Sequence, residues 1–193
     1  MFSKHYLMIA PAVLAAACQM PTEPSRTRAE TSGSPGSGAA TAGPARATGG
    51  GHYALGALDI RFSFSAVEAG GQFAGRFHQS LTLNGELVEV HGRVTCVSVD
   101  GVNGRAWVGG VITDNRSEAE DFQTARHQPG RDIWFRVLDS GEAGSAEPDR
   151  TTFLGFEGDA GFDTSVAYCA GQPWPDNNER TNAVTQGNIQ VRP

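Results

Sequence analysis

The feature that most constrains the fold of this chain is the pair Asn84-Gly85, which separates two runs of alternating apolar and polar residues. Asn-Gly favours a two-residue type I′ turn, which joins neighbouring antiparallel strands and fixes their register. The predicted register places Leu81 opposite Val88. The inward apolar residues are then Phe77, Leu81, Val88, Val90 and Val94. All of them fall on one face, which supports the register independently of the turn.

Short β-rich runs recur along the rest of the chain between turn signals. Residues 53–66 alternate clearly, and residues 104–113 are apolar on both faces, which is typical of a central strand. A change of alternation at Cys96 predicts a β-bulge. Further strands are predicted over residues 132–138, 151–156, 165–170 and 188–191. The pattern predicts an all-β fold, a single mostly antiparallel barrel or sandwich of about eight strands.

The N-terminal residues 1–17 have the three parts of an export signal, namely a weakly basic start, a short apolar run and small residues before Cys18. The apolar run is shorter than the roughly 20 residues that span a bilayer. Leu14-Ala15-Ala16-Ala17-Cys18 resembles the cleavage site of bacterial lipoproteins, with Ala15 where Leu is usual. This predicts lipidation of Cys18, and ordinary signal-peptidase cleavage before Cys18 is the alternative.

Residues 18–50 are dominated by Ala, Gly, Ser, Thr and Pro, which predicts a disordered linker behind the anchor cysteine. Residues 51–193 have the length of one domain and are predicted to form the β domain. This order places the protein in the cell envelope. Because Gln19 rather than Asp follows the cysteine, we expect an outer-membrane-anchored lipoprotein, with a secreted or periplasmic protein as the alternative.

The chain has three cysteines. Lipidation of Cys18 leaves Cys96 and Cys169 as an even pair in an oxidising compartment, which predicts a disulfide between them. Such a bond would close a loop of about 70 residues, and the chain-entropy account gives it roughly 3–4 kcal/mol.

Acidic residues outnumber basic ones, and the formal net charge is −6. A net negative domain argues against binding to nucleic acid. The expected partners are the membrane, through the lipid anchor, and an envelope protein or glycan.

A series of short motifs occurs in order along the domain. They are Val94-Thr95-Cys96, Gly109-Gly110-Val111, Arg136-Val137-Leu138-Asp139-Ser140-Gly141-Glu142, Pro148-Asp149-Arg150, Cys169 and Gly187-Asn188-Ile189-Gln190-Val191. The series resembles an uncharacterised family of secreted or lipid-anchored bacterial β-domain proteins, over nearly all of residues 51–193. The resemblance implies a compact β domain with paired cysteines, and it supplies no catalytic residues.

The outer face of the predicted hairpin carries the most informative polar residues. Its register pairs His78 with His91, Arg76 with Arg93, and Ser80 with Glu89. Like charges directly opposite each other are unfavourable, so an anion, a carboxylate or a metal between the strands would explain the arrangement. The two imidazoles could hold Zn²⁺, with the Glu89 carboxylate as a third ligand. The plainest alternative is a solvated sheet face on which the arginines splay apart.

Two further features are candidates for ligand binding. Acidic loops could hold Ca²⁺, although their spacing is not that of an EF-hand. Their carboxylates are Asp139, Glu142, Glu147, Asp149, Glu157, Asp159 and Asp163. Trp174, between two prolines, could be a platform for a sugar or a partner, or could pack over one end of the barrel. The sequence contains no recognised catalytic motif, and we predict neither catalytic residues nor a cofactor.

These observations favour a tethered β domain that binds an envelope component, and they lean against an enzyme. A purely structural envelope protein is a variant of the same hypothesis. The alternative is a small β-barrel enzyme of the lyase, isomerase or cyclase type, with a ligand cavity. A cavity of several hundred Å³ with converging polar groups would favour the enzyme, whereas a filled core would count against it.

Overall fold

The computed structural model describes residues 43–141 and 147–193. The strands are β1 (Ala45–Leu55), β2 (Leu58–Ala69), β3 (Gln72–Leu83), β4 (Glu86–Asp100), β5 (Arg105–Asn115), β6 (Asp132–Leu138), β7 (Arg150–Thr152), β8 (Gly155–Phe156) and β9 (Thr181–Arg192). The helix is α1 (Ser165–Gly171). The predicted signal peptide and the lipidation site at Cys18 lie outside the described residues.

Eight strands close into an antiparallel barrel in the order β1-β2-β3-β4-β5-β6-β7-β9, with β9 paired back to β1. The short strand β8 is additional and pairs with β6 beside β7. The predicted all-β fold is therefore confirmed, in its barrel form. Closure matters because it leaves the long strands without free edges. Among the described residues, no helix is long and apolar enough to cross a bilayer.

The hairpin between β3 and β4 has the predicted turn and register. Asn84 and Gly85 have φ angles of 54° and 92°, the left-handed values that a type I′ turn requires at both central positions. Leu81 lies opposite Val88 as predicted. The five residues predicted to face inward are all buried, so this local signal orients a large part of the wall; they are Phe77, Leu81, Val88, Val90 and Val94.

The barrel begins earlier in the chain than the sequence indicated. Strand β1 begins at Ala45, so residues 45–50, which we expected in the linker, pair with β2 and β9. The sequence did not predict this strand, because Gly49, Gly50 and Gly51 leave few side chains to show an apolar–polar alternation. At Gly49 the side chains of Phe64 and Ile189 occupy the space that a Cβ would need, at 2.8 and 2.9 Å. The predicted single strand over residues 53–66 is divided by a turn at Gly56.

The barrel interior is filled with apolar side chains. Phe135 packs edge-on against Phe64 and Phe77, with ring centroids 5.1 and 5.6 Å apart. Polar contacts also lie in the core, where the Gln79 amide donates a hydrogen bond of 2.8 Å to the Tyr53 hydroxyl and that hydroxyl donates one of 3.5 Å to the Thr152 carbonyl oxygen. The free space beside these rings is about 10 Å³, at the lower limit for a single water. This space is far smaller than the several hundred Å³ that would favour the enzyme alternative.

A disulfide joins Cys96 on β4 to Cys169 on α1, as predicted. The expected bulge is also present, since the β4–β5 register shifts between Val94 and Cys96. Residues 165–170, however, form a helix and not the predicted strand. The Thr164 side chain caps the helix by accepting a hydrogen bond from the Ala167 amide.

The helix covers an aromatic patch on the outside of the barrel wall. Its buried residues are Ser165, Tyr168 and Cys169, a spacing of three and four that is typical of a helix face. Tyr168 stacks on Trp134 of β6 at a centroid distance of 5.5 Å. Trp107 and Trp134 therefore form a second small core outside the barrel, which explains why β5 is apolar on both faces.

Candidate functional site

The polar residues of the β3–β4 hairpin lie together on the outer face of the barrel. The opposing pairs are His78 with His91, Arg76 with Arg93, and Ser80 with Glu89. All three pairings agree with the register that the sequence predicted. The side chains face outward because the residues between them, including Phe77, Gln79 and Val90, are buried inside the barrel.

His78, Glu89 and His91 form a compact group that we call the His-Glu-His cluster. Glu89 Oε1 lies 2.7 Å from His91 Nε2 and 4.0 Å from His78 Nε2. The two imidazole rings stack, with centroids 4.5 Å apart and an interplanar angle of 26°. The His78 and His91 side chains are each 33% exposed, and the Glu89 side chain is 22% exposed. The cluster is therefore partly shielded from water but still accessible to a ligand from solvent.

The surroundings of the cluster lower the pKa values of two of its members, Glu89 and His78. The hydrogen bond with His91 is the main cause that lowers the pKa of Glu89. Burial, followed by the charge of His91, lowers the pKa of His78. At neutral pH the Glu89 carboxylate is therefore ionised and the His78 imidazole is neutral.

Two residues that the sequence analysis did not single out complete the surroundings of Glu89. Arg116 Nη1 lies 3.7 Å from Glu89 Oε1, and Arg116 Nε lies 2.7 Å from Asp114 Oδ2. Asp114 pairs with His91 across β4 and β5. Both residues lie beyond the strand predicted over residues 104–113. Only the observed β5, which extends to Asn115, brings them to the cluster.

Beside the cluster lies an open groove of about 640 Å³, which we call the arginine groove. Its polar lining consists of Arg76, His78, His91, Arg93, Ser63, Ser65 and Thr113. Arg76 and Arg93 are exposed. Among the described residues, neither of their guanidinium groups forms a salt bridge. Two unpaired cations thus face each other across neighbouring strands.

The chemistry of the cluster suits a transition metal, whereas the acidic loops are engaged in structural contacts. In the described part of the chain, the His-Glu-His cluster is the one group of three or more His, Cys, Asp or Glu residues with converging ligand atoms. Asp139 and Asp149 each accept backbone hydrogen bonds, at 2.9 Å from Val191 N and 2.6 Å from Ile189 N. Glu142 lies outside the described residues.

The second acidic loop is also occupied by protein contacts. Glu157 lies 3.3 Å from Arg131, and Asp159 lies 2.6 Å from Arg126. These carboxylates are partnered by guanidinium groups, which disfavour a cation at the same place. The possibility of Ca²⁺ in the acidic loops, which the sequence left open, therefore gains no support from these contacts.

Trp174 packs against the barrel wall, and its ring is contacted by arginines. The guanidinium carbons of Arg180 and Arg136 lie 4.7 and 5.7 Å from its ring centroid. Cation–π contacts of this kind hold the ring in place. These contacts fit the packing role, and the half-buried ring also lines an open pocket of about 230 Å³.

No protein-family model matches this chain, and neither a curated protein nor a solved structure is significantly similar to it.

Proposed function

We propose that this chain is a binding module of the cell envelope, held at a membrane by a lipid on Cys18, whose arginine groove binds an anionic group of an envelope protein or glycan. The observation that carries the proposal is the opposition of Arg76 and Arg93 without a carboxylate partner. Opposed like charges weaken a strand pair, and a bound oxyanion would reverse that penalty.

The groove has the chemistry of an oxyanion site. A guanidinium presents several donors in a fixed plane that matches carboxylate, phosphate and sulfate groups. The hydroxyls of Ser63, Ser65 and Thr113 line the same groove and add neutral donors. The formal net charge of the chain is −6, so a local basic groove stands out against an acidic background.

A binding role fits the barrel better than catalysis inside it. The interior near Phe62 and Phe135 leaves about 10 Å³ of free space, far below the few hundred Å³ of a small-molecule site. The arginine groove is open to solvent and lies on rigid strands. This combination is suited to recognition of a group on a larger partner.

Inorganic phosphate is a direct probe of the groove, with binding followed by amide chemical shifts at low salt. We expect the double variant Arg76→Gln/Arg93→Gln to bind phosphate at least tenfold more weakly, because each charge-assisted hydrogen bond contributes about 1.5–3 kcal/mol. Arg61→Gln is the matched control, since Arg61 is an exposed arginine on the neighbouring strand β2. Equal phosphate affinity in the double variant and the unsubstituted protein would refute the groove.

The anchor is tested separately. We expect Cys18→Ser to move the protein from the membrane fraction to the soluble fraction, because the acyl chains are the predicted attachment. An unchanged partition between the fractions would refute lipidation and leave the phosphate result intact.

A further inference from the structure

We propose that His78, Glu89 and His91 form a site for a divalent transition-metal ion, Zn²⁺ by their donor types, with an open coordination position toward the arginine groove. His78 and His91 also line the arginine groove, but the metal would be held by their imidazoles and the Glu89 carboxylate, whereas the anion of the proposed function would be held by the guanidinium groups of Arg76 and Arg93.

The donors come from a rigid part of the fold. All three lie on one hairpin, whose register is fixed by the turn at Asn84-Gly85 and by the apolar pairs inside the barrel. The His78 and His91 side chains project from directly opposed positions. Sites built on regular strands hold their ligands more precisely than sites built on loops.

The distances require small movements to accommodate a metal. The three ligand atoms all lie within 4.8 Å of one another. A tetrahedral Zn²⁺ with nitrogen and oxygen ligands at about 2.0–2.1 Å separates its donors by roughly 3.3 Å. The contact of 2.7 Å between Glu89 Oε1 and His91 Nε2 would open slightly, and the 4.0 Å contact with His78 would close, which side-chain rotation can supply.

Two carboxylates lie at the cluster and attract a cation there, while the unpaired Arg76 and Arg93 lie one outward-facing pair further along the same strands. Glu89 and Asp114 contribute two negative charges, and Arg116, which contacts both carboxylates, contributes one positive charge. Carboxylates therefore outnumber guanidinium groups by one at the cluster itself. The Asp114–Arg116 contact of 2.7 Å draws the guanidinium toward Asp114, and its distance of 3.7 Å from Glu89 leaves that carboxylate available to a metal.

The donor set also selects among metals. Two imidazole nitrogens and one carboxylate oxygen suit Zn²⁺, Ni²⁺ or Cu²⁺, whereas Ca²⁺ and Mg²⁺ prefer oxygen ligands throughout. Three protein ligands leave a fourth position of the Zn²⁺ shell to water or to an anion. Arg76 and Arg93 are the next outward-facing pair along the same strands, roughly 7 Å away by strand geometry, so an anion at that position would sit beside their guanidinium groups.

The test is calorimetric titration of the full chain with Zn²⁺ at neutral pH, with Co²⁺ absorption as a second measurement of coordination. We expect one ion per chain. His78→Ala, His91→Ala and Glu89→Gln should each weaken Zn²⁺ binding by at least the roughly 10- to 100-fold that loss of an outer-shell partner costs. These side chains are on the surface, so the variants should fold, and circular dichroism checks this.

His52→Ala is the matched control, because His52 is also an outer-face histidine beside a carboxylate, 3.5 Å from Asp59. Its Zn²⁺ affinity should equal that of the unsubstituted protein. No measurable Zn²⁺ binding, or equal affinity in folded His78→Ala and His91→Ala variants, would overturn the proposal. Arg76→Gln/Arg93→Gln should keep the metal while losing phosphate, which separates failure of this site from failure of the anion site.

Discussion

Arg136 is a fully buried charged residue on β6, and its partners explain the shape of the loop before β9. Its side chain is 0% exposed. The guanidinium donates hydrogen bonds to the carbonyl oxygens of Pro173, Trp174 and Glu179. A buried charge without such partners would cost several kcal/mol. The carbonyl dipoles replace water around the cation, and the cation in turn fixes residues 173–179 against the barrel wall.

Phe77 and Gly92 form a second pair in which one residue leaves room for the other. They lie opposite each other on β3 and β4. A Cβ added to Gly92 would lie 1.9 Å from Cζ of the Phe77 ring, and one added to Gly110 would lie 2.9 Å from its Cε1. The ring therefore uses the space above two glycines, and the arrangement allows Phe77 to reach Phe135 in the core.

We expect Gly92→Ala to lower the free energy of unfolding by about 1–3 kcal/mol, because an added methyl group in a packed core forces side chains from their preferred positions. Urea unfolding measures the change. Gly43→Ala is the control, since a Cβ there meets nothing within 4 Å. The double variant Gly92→Ala/Phe77→Leu should recover part of the loss, as a double-mutant cycle would report. Additive effects of the two substitutions would contradict the proposed clash.

At the scale of elements, a strand or helix could be predicted only where the local sequence carries a clear turn or alternation signal. The β3–β4 hairpin was predictable in full, because the turn at Asn84-Gly85 and the alternation of both strands agree on one register. The same register predicted that His78 faces His91. Strand β1 was not predictable, since Gly49, Gly50 and Gly51 offer no alternating side chains and the packing partners come from distant strands.

Helix α1 escaped prediction for a different reason. A run of six residues, 165–170, is too short to separate a strand period from a helix period. The helix is selected by tertiary contacts, which include the Cys96–Cys169 disulfide and the stacking of Tyr168 on Trp134. Arg116 and Asp114 were missed for a similar reason, because their place beside Glu89 depends on the exact end of β5.

The disulfide should contribute strongly to stability. It joins residues 73 positions apart, and the chain-entropy account gives such a loop roughly 4 kcal/mol. We expect Cys96→Ala/Cys169→Ala to lower the free energy of unfolding by a few kcal/mol, measured by guanidinium chloride unfolding.

Hydrogen exchange should show where the constraint acts. Because the barrel strands keep their own pairing, loss of the disulfide should raise exchange first at α1 and not at β3 or β4. Uniformly faster exchange throughout the barrel would mean that the bond supports the whole wall.

At the scale of the whole molecule, the barrel depends on β1, which pairs with β2 on one side and β9 on the other. Ala47, within its first half, is 0% exposed. Residues 45–50 therefore belong to the closed wall, and their removal would expose the edges of two long strands. Exposed long edges promote pairing between molecules.

A chain that begins at Gly43 keeps the whole of β1, whereas one that begins at Gly51 lacks its first six residues, 45–50. We expect the Gly43 chain to unfold cooperatively as a monomer. The Gly51 chain should have a much lower midpoint of thermal unfolding and should aggregate, because the ladders from β1 to β2 and β9 are cut short. Size-exclusion chromatography and thermal unfolding monitored by circular dichroism compare the two. Equal midpoints and equal elution volumes would show that closure by residues 45–50 is dispensable, and the barrel would then rest on the remaining half of β1 alone.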